Sequence, residues 1–216
     1  MKLQKRFAAV LLCAVMALAA LTACSGGPVP TKLEWANSRT KQYFDAKGVK
    51  PQEFTLTASM SVSGVKTNLK FAVKGKRAGY ELGLQDGVKT HVDENGDVYQ
   101  WYSENIGWWK YPAGSPSAES YAASTRACYG YFTLPTDQNV GSISAGKYKK
   151  DDKTYDTETL KVHQESVYAT YTYCYDGNEL SFILVEPIVG MENIELKPTA
   201  DEAVIAIPSD YRVIND

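Results

Sequence analysis

Glu53-Phe54-Thr55-Leu56-Thr57-Ala58-Ser59-Met60-Ser61-Val62 alternates apolar and polar side chains, and two further runs repeat the period. In the first, Val65, Leu69, Phe71 and Val73 alternate with Lys66, Asn68, Lys70 and Lys74 after a Ser63-Gly64 turn. In the second, Ala78, Tyr80, Leu82 and Leu84 alternate with Arg77, Glu81 and two glycines. Successive side chains of a strand point to opposite faces, so a period of two gives each strand one apolar and one polar face. Three such strands in succession predict an antiparallel meander that is wet on one side.

Working outward, strands are expected at 87–93, 97–103 and 106–111, the first pair joined by the hairpin signal Asn95-Gly96. More follow at 140–148, 153–163, 166–175, 179–186, 190–197 and 201–207, with Asp151-Asp152-Lys153 and Asp176-Gly177-Asn178 as turns. Residues 180–185 are apolar on both parities, which predicts cover on both sides. Two helices interrupt the strands. Thr31-Lys32-Leu33-Glu34 fits a capping box and Gly48 with Pro51 a stop, predicting a helix over 32–47 that buries Leu33, Ala36, Tyr43 and Phe44. Ser115-Pro116 opens a second helix, with Tyr121, Thr125, Cys128, Tyr129 and Phe132 on one face and Pro135 at its end. The fold class is therefore mainly β with two helices (α+β): a curved antiparallel sheet with the helices against its apolar side. Deep curvature would leave an apolar cavity there. Its expected lining is Phe54, Leu56, Met60, Leu69, Phe71, Val73, Tyr80, Leu82 and Leu84.

Upstream of these elements, Lys2, Lys5 and Arg6 precede an apolar run from Phe7 to Ala20. The run has the length of an export-signal core and is shorter than the roughly 20 residues a spanning helix needs. Leu21-Thr22-Ala23-Cys24 then resembles the lipobox of bacterial lipoproteins, which implies cleavage before Cys24 and a lipid on that cysteine. The expected organisation is a signal peptide over 1–23, a lipidated cysteine and tether over 24–30, and one β-rich domain over 31–216. The expected location is the cell envelope, anchored on the extracytoplasmic side of a membrane.

Removing residues 1–23 removes three basic residues and no acidic one, so 23 basic residues become 20 against 25 acidic, a net charge of −5. That sign argues against nucleic acid as a partner and against adhesion of the domain to anionic lipid. Cys128 and Cys174 remain outside the signal and the anchor. A disulfide between them and a pair of buried free thiols both suit an exported chain. No C-x-x-C is present to suggest a metal or redox pair.

The layout as a whole resembles the LolA/LppX-like lipoprotein superfamily. Three phrases share its texture: Tyr155-Asp156-Thr157-Glu158 entering a strand, the hairpin Tyr173-Cys174-Tyr175-Asp176-Gly177-Asn178-Glu179-Leu180, and the terminal Ile207-Pro208-Ser209-Asp210-Tyr211. The resemblance implies an open half-barrel whose concave side holds acyl chains of lipoproteins or glycolipids. The anchor favours the LppX-like branch, and neither branch supplies a catalytic motif.

Little in the chain points to catalysis. His91 and His163 fall on separate expected strands without metal-ligand spacing, and no G-x-S-x-G, H-E-x-x-H or P-loop occurs. His91 beside Asp93 suggests a base with its orienter, but both share parity with Lys89 and read better as exposed polar strand residues. Asp93-Glu94-Asn95-Gly96-Asp97 reads as a hairpin turn, because an EF-hand glycine stands sixth in its loop and this one stands fourth. Trp101, Tyr102, Trp108, Trp109 and Tyr111 offer flat faces for sugars or rings for core packing, and adjacent Trp108 and Trp109 must point to opposite sides of a strand. The expected function is that of a non-enzymatic, membrane-anchored carrier that needs no cofactor or metal. It would bind a lipid, a lipidated protein or another apolar ligand in its cavity. The alternative is an envelope module binding glycan or protein through an exposed aromatic patch.

Overall fold

The computed structural model describes residues 34–62, 65–83, 87–116, 119, 129–164, 167–186 and 189–214. The signal segment 1–23, Cys24 and the tether, Thr31, Leu84 and Cys128 lie outside the described residues. The chain is mainly β. Its strands are β1 (Glu53–Val62), β2 (Val65–Lys74), β3 (Arg77–Leu82), β4 (Val88–Val92), β5 (Val98–Trp101), β6 (Trp108–Tyr111), β7 (Val140–Lys150), β8 (Lys153–Gln164), β9 (Val167–Asp176), β10 (Glu179–Glu186), β11 (Val189–Lys197) and β12 (Arg212–Val213).

All twelve belong to one open sheet in the order β12-β6-β5-β4-β3-β2-β1-β11-β10-β9-β8-β7. Two antiparallel meanders, β1–β6 and β7–β11, meet where β1 pairs antiparallel with β11. The short β12 joins β6 in parallel. Register aligns the apolar parity across strands, with Leu56 opposite Phe71 and Phe71 opposite Tyr80. A slip of one residue would turn that whole row to water, so burial enforces the pairing. Phe54, Phe71, Met60 and Leu69 are buried at 0 to 2 % exposure, and each such side chain contributes about 1.5–3 kcal/mol.

The N-terminal helix is shorter than the sequence predicts. A 3-10 turn covers Trp35–Asn37, and helix α1 spans Arg39–Ala46. Glu34 is extended (ψ 139°), so it cannot serve as the third helical residue of a capping box. Ser38 takes the cap instead, its hydroxyl accepting from the Lys41 N–H at 3.1 Å. The predicted stop holds, with Gly48 in the left-handed region at φ 68°.

The expected strand over 201–207 is instead a helical turn, α2 (Glu202–Ile205). Asp201 caps it, its carboxylate accepting from Ala203 N–H at 3.0 Å. Val204 and Ile205 are adjacent and both buried against Ala72 on the polar-parity face of the sheet. A strand would have turned one of them away, whereas a helical turn points both inward.

Strand β10 is covered on both sides. Ile183 and Val185 join the main core, while Phe182 lies under the rings of Tyr148 and Tyr155 at 5.7 and 4.9 Å.

Candidate ligand-binding face and outer aromatic row

Both meanders contribute to one apolar inner face. Phe54, Leu56, Met60, Leu69, Phe71, Val73, Tyr80 and Leu82 all fall in a single cluster there, joined from the other half by Leu160, Tyr171, Tyr173, Ile183 and Met191. The alternation of Tyr171, Tyr173 and Tyr175 along β9 was the sequence signal for that second contribution.

This face is filled. The segment Tyr129–Leu134 lies on it, with the Phe132 ring 5.8 Å from Phe71 and the Tyr129 ring 5.5 Å from Tyr80. Tyr129 donates its hydroxyl to the carbonyls of Ala78 and Thr90 at 3.3 Å each, and Tyr171 donates to the Gly130 carbonyl. A void of about 10 Å³ remains among Leu56, Tyr131, Phe132, Tyr171, Tyr173 and Met191. That is room for about one water molecule. Burial pushes the phenols of Tyr171, Tyr173 and Tyr175 up.

Helix α1 closes one end of the inner face. Phe44 meets Tyr173 edge-on at 5.9 Å, and the buried Glu158 carboxylate on β8 receives the first N–H groups of the helix. Sequence periodicity gave no hint of this contact, because Glu158 and Thr40 are 118 residues apart.

The polar parity forms the outer face. A groove of about 530 Å³ opens there, lined by Thr57, Ser59, Asn68, Lys70, Glu81 and Lys89 among others. Its lysines are already paired, Lys70 with Asp201 at 2.5 Å and Lys89 with Glu81 at 3.2 Å.

His91 lies on this outer face, as its parity requires, but it is 2 % exposed rather than open to solvent. Its ring stands edge-on to Trp108 at 4.6 Å, and Trp108 lies 5.6 Å from Trp101. Trp109 points to the other face and packs on Tyr102 at 4.8 Å. Trp101, Trp108 and Trp109 are all half-buried. Asp93 does not orient His91: its carboxylate accepts from the N–H groups of Asn95 and Asp97, which fixes the hairpin. His163 stands on β8, far across the sheet. Asp97 holds Lys110 at 2.5 Å and so keeps that ammonium well above the usual lysine range.

Cys174 is a free thiol at 0 % exposure, and burial pushes it up to about 12. Among the described residues, no cluster of three or more His, Cys, Asp or Glu could hold a metal, and no helix is long and apolar enough to cross a membrane.

No protein-family model and no curated protein matches the chain. A crystal structure of an uncharacterized conserved protein from Thermus thermophilus resembles it at 10 % identity and a TM-score of 0.42. The likeness covers 82 % of this chain and 99 % of that one, and is too slight to assign a fold or a function.

Proposed function

We propose that this chain is a non-enzymatic lipoprotein, anchored through Cys24 on the extracytoplasmic side of a membrane, that binds a lipid or other apolar ligand on the inner face of its sheet. In this reading the sheet curls into an open half-barrel and the apolar ligand takes the place of the covering segment. One observation supports it above the rest. Among the described residues, the inner face over Phe71 and Tyr80 is covered by the short run Tyr129–Leu134 and by no second sheet. The lipobox-like Leu21-Thr22-Ala23-Cys24 supports the anchor. A diacylglyceryl group meets the requirement of more than one chain for stable attachment.

Native mass spectrometry of the chain isolated from its own membranes tests the ligand. The expected spectrum carries a bound acyl-chain species besides the covalent lipid, with occupancy raised in Phe132→Ala. A chain that is ligand-free in both forms would end the carrier reading.

A second reading is favoured by one observation: Trp101 and Trp108 share the outer face as a cross-strand pair. There the protein would be an envelope interaction module for glycan or protein. Trp101→Ala would then abolish partner binding while leaving any acyl ligand in place.

A further inference from the structure

His91 is almost fully buried, yet among the described residues neither of its ring nitrogens has a hydrogen-bond partner. Such a group costs free energy unless something else is gained by keeping it. Its position in the sheet shows what it underlies. Pairing places Gly79, His91, Tyr99 and Lys110 in one row across β3, β4, β5 and β6, all on the outer face.

The C-terminal segment is fastened to this row on both sides of His91. On one side, α2 packs on β2, β3 and β4. The Val204 carbonyl comes so close to Gly79 that a Cβ there would lie 2.1 Å from it. On the other side, the Tyr211 ring meets Tyr99 edge-on at 5.2 Å, and β12 pairs with β6. The chain from Ile205 to Tyr211 therefore links the outer side of β3 to that of β5 across β4, and His91 lies in the row between its two fastenings.

We propose that residues 201–214 form a proton-sensitive strap, held closed over neutral His91 and released when that imidazole takes a proton.

Among the described residues, the nearby carboxylates of Glu81, Asp93 and Asp97 already hold partners, so a charged imidazolium would find no free acceptor under the strap. On β3, Glu81 faces it but is paired with Lys89 of β4, so the attraction of one is opposed by the repulsion of the other. Just past the end of β4, Asp93 is committed to its hairpin. Tyr99 on β5 and Tyr211 on the strap present rings to each other rather than a carboxylate to the imidazole, and Lys110 on β6 is a cation. Glu202, at the start of α2, is held by Lys74 and Arg77. A buried charge without a partner is strongly unfavourable, so protonation favours the open strap.

The sign follows from linkage. Burial lowers His91 from 6.5 to about 4 when the strap is closed, whereas an exposed His91 titrates near 6.5. The open state binds more protons between those values, so closure is complete above pH 6.5 and weakens as pH falls toward 4. Between pH 8 and pH 5 the opening equilibrium rises roughly 30-fold.

Hydrogen exchange of the full chain reads this at the amides of Val204 and Ile214, which donate to the carbonyls of Asp201 and Lys110. Rates are corrected for the intrinsic effect of pH, with amides paired between β8 and β9 as reference. The expected result is a roughly 30-fold loss of protection at pH 5 in the wild-type chain and a flat response in both His91→Phe and His91→Gln. If His91→Phe does not fold, His91→Gln keeps the comparison. A flat wild-type response, an unchanged response in the variants, or a parallel loss in the reference amides would overturn the strap. An NMR titration of His91 is independent of any variant, and a midpoint near 6.5 with the strap protected would overturn it as well.

Discussion

Oε2 of Glu158 accepts from both the backbone N–H and the Oγ1 of Thr40, each at 2.7 Å, while Oε1 accepts from the Arg39 N–H at 2.7 Å. The first N–H groups of a helix have no partner inside it, and a carboxylate there meets the positive end of the helix dipole. Glu158 is only 6 % exposed, so water cannot replace it. The Tyr175 hydroxyl donates to Thr40 Oγ1 at 2.9 Å and extends the network into β9. This contact is what fastens α1 to the distal half of the sheet.

Replacing Glu158 by Ala is therefore expected to leave buried donors unpaired and to lower stability by about 3 kcal/mol. Glu158→Gln retains one acceptor and should lose less. Denaturant midpoints measure both, and a double-mutant cycle with Thr40→Val should return a coupling of about 1 kcal/mol or more. Additive effects would show that the pair is not coupled.

Removing the ring of Phe132 empties part of the covering segment. Phe132→Ala should cost about 3–5 kcal/mol in the absence of ligand. If an apolar ligand fills the same face, the loss should shrink when a fatty acid is added, as a rise in melting temperature. An unchanged melting temperature with added fatty acid would argue that the vacated space is not a ligand site.

At Gly79 the space for a side chain is taken by the Val204 carbonyl. Gly79→Ala must push α2 off the sheet, at about 1–3 kcal/mol. The expected signature is loss of exchange protection at Val204, with β8 and β9 unchanged.

The Cys174 thiol, pushed up to about 12 by burial, should resist maleimide in the native state and react fully once unfolded. Its pKa is raised in the fold, so its contribution to stability is complete below the unfolded value near 9 and is lost as pH rises toward 12. Labelling of native protein at about pH 8 at the unfolded rate would contradict this burial.

Replacing Cys24 by Ser should release the protein from membranes or leave it unprocessed. A Ser variant still cut after Ala23 and still membrane-bound to the wild-type extent would exclude the lipid anchor.

The amino-acid sequence alone determined which residues form the first strands, which of their faces is apolar, where Gly48 stops α1 and that Trp108 and Trp109 diverge. Each of these depends on a local period of two or on a single backbone conformation, and so is written within a few neighbouring residues. Tertiary structure decided the rest. Glu158 became a helix clamp because strands β7 to β11 bring it to residue 40. Val204 and Ile205 became a helical turn because the outer face offered Ala72 and Gly79 to pack against. His91 kept its predicted parity yet is only 2 % exposed, with the Trp108 ring edge-on to it and the C-terminal segment fastened at Gly79 and Tyr99 on either side. Parity chooses the face of a strand, but only packing from distant chain decides whether that face meets water.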